Sequence, residues 1–162
     1  MESTFKHFIN GEFVDSDQRF EKRSPLDNTV IGTVAEASAA QVNAAVEAAR
    51  AAQSGPWAQL SLEARCALLH QVADEITRRF DDFVEAEMKD TGQPRVVMEH
   101  AFIPRGAANF KVFADVVKNV PTESFFLDTP DSEGALNYAV RVPKGVVGVV
   151  CPWNAPFLLM TW

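Results

Sequence analysis

A surplus of basic charge is missing from this sequence. Lys and Arg number 15 against 22 Asp and Glu, a formal net charge of −7, so there is no cationic footprint for phosphate backbones and nucleic acid is not an expected partner. Cysteine is scarce: Cys66 and Cys151 are the only two, too few for a disulfide framework and without the CxxC or Cys/His spacing of a zinc site. The three histidines, His7, His70 and His100, are as scattered, and no metal is expected. The opening MESTFKHFINGEF has no basic segment leading into an apolar run, so no secretory signal is read and a cytoplasmic location is the default. The most apolar stretch, residues 145–162, is interrupted by Pro152, Asn154 and Pro156, whereas a membrane span needs ~20 predominantly apolar helical residues. Repeats, low-complexity tracts and linkers are also lacking. What is present is an ordinary globular composition, 47% hydrophobic and 23% charged over 162 residues, enough for one domain with a core.

Strand signals come first. In Phe8-Ile9-Asn10-Gly11-Glu12-Phe13-Val14 an Asn-Gly pair separates apolar residues, and a type I′ turn needs positive φ at both central positions, so a hairpin is expected. Residues 29–34, TVIGTV, supply another strand. Ser38-Ala39-Ala40-Gln41 has capping-box spacing, and Val42, Ala45, Val46 and Ala49 recur at helical intervals until Gly55-Pro56 stops them. Ser61 can cap the next helix, whose buried face reads Leu69, Val72, Ile76, Phe80, Phe83 and Val84. That pattern ends near Thr91-Gly92 after roughly 30 residues, so a break is expected where Asp81-Asp82 can cap a new start. Asp81, Asp82, Glu85 and Glu87 read as a solvated helix face rather than a carboxylate cluster. Residues 96–118 are again helical in pattern, with Pro104 predicting a kink or a new helix that begins at the proline. Residues 122–128 and 135–142 flank a turn-forming link and are expected to pair as a hairpin.

Residues 145–151, GVVGVVC, are a β-branched run without polar alternation, the pattern of a strand covered on both faces in a parallel sheet. No later strand follows, so the run reads as the first strand of a sheet not otherwise represented in these residues. Gly145-x-x-Gly148 is not GxGxxG, and both close strand packing and a cofactor role stay open for it. Cys151 closes the run with no neighbouring His or Lys to activate it and reads as an inert buried thiol; Cys66 reads as helix packing. Arg105 is more informative. If Pro104 begins a helix, Arg105 lies in its first turn, where the macrodipole disfavours a cation. A carboxylate ligand would explain it, as would solvation or pairing with Glu99, and a helix continuous through Pro104 removes the dipole argument.

GVVGVVCPWNAP, residues 145–156, resembles the segment of the NAD(P)-dependent aldehyde dehydrogenase superfamily in which the first strand of the cofactor sheet ends in Pro-Trp-Asn-x-Pro. The FINGEF opening, the Ala-rich helix, GPW before the long helix and DTGQP after it are similar to that superfamily as well. DTGQP, IPRGAANF and ALNY most resemble the muconic semialdehyde dehydrogenases, which oxidise 2-hydroxymuconic or 2-aminomuconic semialdehyde in the breakdown of aromatic rings.

The resemblance covers nearly the whole chain and implies an α/β fold, the amino-terminal portion of the aldehyde dehydrogenase fold. Residues 1–121 would be the hairpin and helical part of the NAD-binding domain. Residues 122–142 would be a bridging, oligomerising hairpin, and 143–162 the first strand and helix start of a Rossmann-like sheet. It also implies NAD as cofactor, a semialdehyde substrate and a homo-oligomeric full-length enzyme. In the family a cysteine thiolate attacks the aldehyde and the carbonyl oxygen becomes an oxyanion, which the amide of the residue matching Asn154 stabilises. Losing such a donor costs ~10²–10³ in rate; on the residues alone, Asn154 reads as a turn asparagine closing the strand. Val150, Pro152 and Trp153 are implied to line the cofactor's entry, in keeping with ligand sites beyond the carboxyl ends of parallel strands. Arg105 is implied to hold the substrate carboxylate through two parallel hydrogen bonds. The family's nucleophilic cysteine, glutamate base and ribose-binding residues lie downstream, so this chain alone is expected to be inactive. The expectation is therefore an amino-terminal portion of a 2-hydroxymuconic semialdehyde dehydrogenase, with the 2-aminomuconic enzyme as alternative. A non-catalytic module that docks to subunits through the 122–142 hairpin is the alternative of another class.

Overall fold

The computed structural model describes residues 3–131 and 133–162. Five short strands come first: β1 Ser3–Phe5, β2 His7–Ile9, β3 Glu12–Val14, β4 Arg19–Arg23 and β5 Val30–Ala35. β2 and β3 form the expected hairpin, with Phe8 opposite Phe13. At its tip Asn10 and Gly11 take φ of 52° and 85°, the pair of positive values that a type I′ turn requires. β5 lies between β1, which it pairs in parallel, and β4, which it pairs antiparallel.

Helix α1, Ala39–Ala52, begins at the capping box. The Gln41 N–H donates to Ser38 Oγ at 3.2 Å and Gln41 Oε1 accepts from the Ser38 N–H at 3.0 Å, so two otherwise orphaned backbone donors are satisfied. After the single turn α2, Pro56–Gln59, comes α3, Leu62–Arg78, capped by Ser61 through the Ala64 N–H. The expected break follows, and α4 runs Phe80–Thr91. Asp81 and Asp82 do not cap it; they stand inside its first turn, where a carboxylate complements the dipole just as well.

Residues 95–118 are helical throughout, as α5 Arg95–Val97, a π turn Met98–Phe102 and α6 Ile103–Lys118. No helix starts afresh at Pro104, because Phe102 and Ile103 before it already have α-helical dihedrals. The π turn offers the physical reason: widening the ladder there lets a residue without an N–H enter where a hydrogen bond is already interrupted.

The core gathers Ile76, Val84, Met98, Ile103, Ala107 and Phe157 from α3, α4, the π turn, α6 and the carboxyl-terminal segment. Cys66 is buried between α3 and α6 as expected of helix packing, with its thiol 3.2 Å from the Ala114 carbonyl. Beyond α6, β6 Ser124–Leu127 and β7 Ala135–Tyr138 form the second expected hairpin, with Phe126 opposite Leu136.

The strand expected over residues 145–151 is not formed. Residues 139–152 carry no regular structure and are exposed, because strand backbone is stable only when its N–H and C=O groups pair across a ladder, and no described strand pairs with residues 145–151. Cys151 is accordingly exposed rather than buried. Regular structure resumes with the short helix α7, Pro156–Met160. No described helix is long and apolar enough to cross a membrane.

Candidate active site

Asn154 occupies a turn immediately before α7. The turn is tied from the helical layer, where Gln93, just past α4, donates its Nε2–H to the Asn154 carbonyl at 2.5 Å. Three residues on, the Phe157 N–H donates to Glu87 Oε1 at 3.2 Å. Glu87 is therefore not part of a solvated face: it is buried on α4 and its carboxylate serves a donor that α7 cannot satisfy internally. Desolvation pushes its carboxyl above the usual glutamate range, partly opposed by the Phe157 N–H and reinforced by the charge of Asp90.

The Phe157 side chain completes the anchoring. Its ring lies 4.9 Å from that of Phe83, centroid to centroid, and it presses on α6 at Gly106, where an added Cβ would come within 2.3 Å of the ring. Only glycine leaves that approach open. Held in this way, Asn154 presents an exposed side-chain amide that meets no hydrogen-bond partner among the described residues. An uncharged donor in that condition is free to meet an oxygen that gains negative charge.

Arg105 is exposed on α6 and meets no carboxylate within 4 Å among the described residues. The pairing with Glu99 is not made, since Glu99 is taken by Arg95 at 2.6 Å. The dipole argument lapses too, because the helix continues through Pro104. Arg105 Nε–H instead donates to Asn109 Oδ1 at 3.2 Å, and Asn109 Nδ2–H donates to Thr161 Oγ1 at 2.9 Å. Thr161 follows α7 directly. Arg105 is thus linked to one end of α7 and Asn154 lies at the other, and five helical residues span about 7.5 Å.

Val150, Pro152 and Trp153 precede this turn and are open, Val150 97% and Trp153 85% exposed. Gln93, Glu87, Asn109 and Thr161 were not singled out as site residues by their sequence. Glu87 carried a signal: it follows Phe80, Phe83 and Val84 at helical spacing and so belongs to their buried face. Asn109 likewise follows Ile103, Gly106 and Ala107 on the buried side of α6.

Comparison with known proteins bears on the whole of this arrangement. The Aldehyde dehydrogenase family model matches residues 13–162. A 2-hydroxymuconic semialdehyde dehydrogenase of Pseudomonas sp. (strain CF600) is 60% identical over 159 residues, 97% of this chain and 33% of that protein. A 2-aminomuconic 6-semialdehyde dehydrogenase of Pseudomonas sp. is 44% identical over 158 residues, 98% of this chain and 32% of that protein. Among solved structures, the NAD+ complex of an aldehyde dehydrogenase from Bacillus cereus superposes with a TM-score of 0.90 at 34% identity, over 99% of this chain and 32% of its own. The chain spans about a third of the length of the curated relatives it matches. With the family model covering nearly all its residues and the same α/β architecture in a solved relative, the chain belongs to the aldehyde dehydrogenase family.

Proposed function

We propose that these residues are the amino-terminal third of an NAD-dependent dehydrogenase that oxidises 2-hydroxymuconic semialdehyde to the dicarboxylate. The observation that carries the reading is the pair of polar groups tied to the two ends of α7: the exposed Asn154 amide, and the Arg105 guanidinium on α6 that no described carboxylate neutralises. A semialdehyde that also bears a carboxylate needs both kinds of group, a neutral donor for the reacting oxygen and a cation for the distant acid. The hydroxy substrate is preferred to the amino one because identity is 60% to the hydroxymuconic relative against 44% to the aminomuconic one.

In this reading Asn154 donates to the aldehyde oxygen as it becomes an oxyanion, and Arg105 fixes the far end by a charge-assisted pair. The net change is aldehyde, NAD+ and water to carboxylate, NADH and two protons. NAD, when bound, accepts the hydride. Val150, Pro152 and Trp153 belong to the same proposal as cofactor-lining residues, on the resemblance of residues 145–156 to the family's strand-end segment. The nucleophilic cysteine and glutamate base belong to the rest of the enzyme, so residues 1–162 alone carry no turnover. The domain reading of 1–121, 122–142 and 143–162, a homo-oligomeric cytoplasmic enzyme and the bridging role of the β6–β7 hairpin form part of the same proposal.

The test is a pair of variants in the full-length enzyme, assayed with 2-hydroxymuconic semialdehyde and with hexanal, which has no carboxylate. Asn154→Ala lowers kcat on both aldehydes by about 10²–10³-fold. Arg105→Ala raises KM for the muconic substrate by about 10²-fold and changes hexanal little, as expected on losing a hydrogen-bonded charge pair. Equal effects of Arg105→Ala on the two aldehydes would remove Arg105 from the substrate site.

A further inference from the structure

The geometry points to Asn109 as a positioning residue for the substrate carboxylate: it grips Arg105 by Nε and leaves the two terminal nitrogens of the guanidinium to the ligand. This rests on the proposal that Arg105 receives a carboxylate, and it adds how the arginine is presented.

Asn109 stands one helical turn after Arg105, where side chains share a face, and it is only 4% exposed. A buried amide must find partners, and here they determine which way it points. Thr161 Oγ1 donates its single hydrogen to the Leu158 carbonyl at 2.7 Å. Toward Asn109 that hydroxyl can only accept, which turns the amide NH2 to Thr161 at 2.9 Å and the amide carbonyl to Arg105. The order of polarity from Leu158 through Thr161 and Asn109 therefore presents an acceptor to Nε at 3.2 Å.

Two consequences follow for recognition. With Nε occupied, a carboxylate is confined to the end-on approach, across the two terminal nitrogens. Because the Asn109 acceptor is neutral, the full positive charge of Arg105 stays available to the ligand.

Arg95 supplies the contrast within the same helical layer. Its Nε and both terminal nitrogens each meet a carboxylate, those of Glu99, Glu85 and Asp81, so its positive charge is already neutralised within the chain. Arg95 is thus engaged in internal ion pairs, whereas Arg105 is held by an uncharged amide with its outer edge open.

The test is made in the full-length enzyme with the two aldehydes, and Arg105→Ala serves as reference. Asn109→Asp keeps size and an acceptor but sets a negative charge against the guanidinium, so KM for 2-hydroxymuconic semialdehyde rises about 10-fold, with a far smaller change in KM for hexanal. Thr161→Val releases the amide and raises the muconic KM about 3-fold, whereas Thr161→Ser, which keeps the hydroxyl, behaves like the parent. Thermal unfolding of each variant is recorded, and if Asn109→Asp does not fold, the Thr161 pair decides. A muconic KM that Asn109→Asp leaves unchanged, or raises together with that for hexanal, overturns the assignment of Asn109 when Arg105→Ala remains selective. If Arg105→Ala itself does not discriminate between the aldehydes, the carboxylate role of Arg105 falls, and the role of Asn109 with it.

Discussion

Residues 145–153 and 155–161 are neighbours of similar apolarity with opposite fates. In the first stretch Val150 is 97% exposed and no backbone ladder forms; in the second Phe157 is 9% exposed and sits in the core. The difference lies in where each finds backbone partners. A helix closes its own hydrogen bonds, as the Leu159 N–H does on the Ala155 carbonyl at 3.0 Å, so α7 needs only a socket for one ring and acceptors for its free ends. A strand satisfies nothing by itself. Burying valines would remove apolar surface worth about 25 cal/mol per Å², but no described strand pairs its backbone with this stretch.

The contrast is broken most strongly at Phe157. Phe157→Ala empties the socket formed with Phe83 and Gly106, and large-to-small changes of a buried phenylalanine cost about 3–5 kcal/mol. Chemical denaturation of the chain is expected to show that loss, with the amides of 157–161 losing protection against hydrogen exchange. The packed stretch would then resemble the open one. A loss below about 1 kcal/mol would mean that α7 is held by its polar ties rather than by its ring.

The two cysteines sharpen the comparison without a mutation. Cys151 lies in the open stretch, while Cys66 is buried against the Ala114 carbonyl. A thiol reagent applied to the native chain should modify Cys151 first. Cys66 should react at least about 10²-fold more slowly, the factor imposed by an opening free energy of about 3 kcal/mol. Mass spectrometry of the singly labelled species gives the site. Equal rates would show that the core around α3 opens as readily as residues 145–153.

What could be read from the sequence divides along the same line. The Asn10-Gly11 turn, the Ser38-Gln41 box and the Ser61 cap are local bargains between residues at most three apart, and each is made as the spacing predicts. The arrangement around Asn154 depends instead on contacts 52, 61 and 70 residues apart. Helical periodicity could place Glu87 and Asn109 on buried faces, but nothing local says that their partners are Phe157 and Thr161. The β-branched run 145–151 calls for parallel neighbours that the sequence does not contain within residues 1–162, and no strand forms there. For Arg105 the continuous helix removes the dipole argument, so its candidacy rests on the family resemblance and on the lack of a carboxylate partner among the described residues.

The smallest expected effect concerns Glu87, one of the ties that separates α7 from the open stretch. Its folded-state pKa is raised above the ordinary glutamate value, chiefly by desolvation. In the folded chain Glu87 therefore keeps its proton to higher pH than in the unfolded chain, and between the two values the folded state binds more protons. Stability must fall as pH rises through that window, and the favourable contribution is fully present only below the unfolded value. Glu87→Gln keeps an oxygen for the Phe157 N–H while removing the charge that is costly to bury. The melting temperature of the variant should be flatter with pH across that window and equal to or higher than the parent's at neutral pH, by the few degrees that about 1 kcal/mol represents in a domain of this size. A variant less stable than the parent at pH 7 would mean instead that the charged carboxylate gains more from the Phe157 N–H than its burial costs.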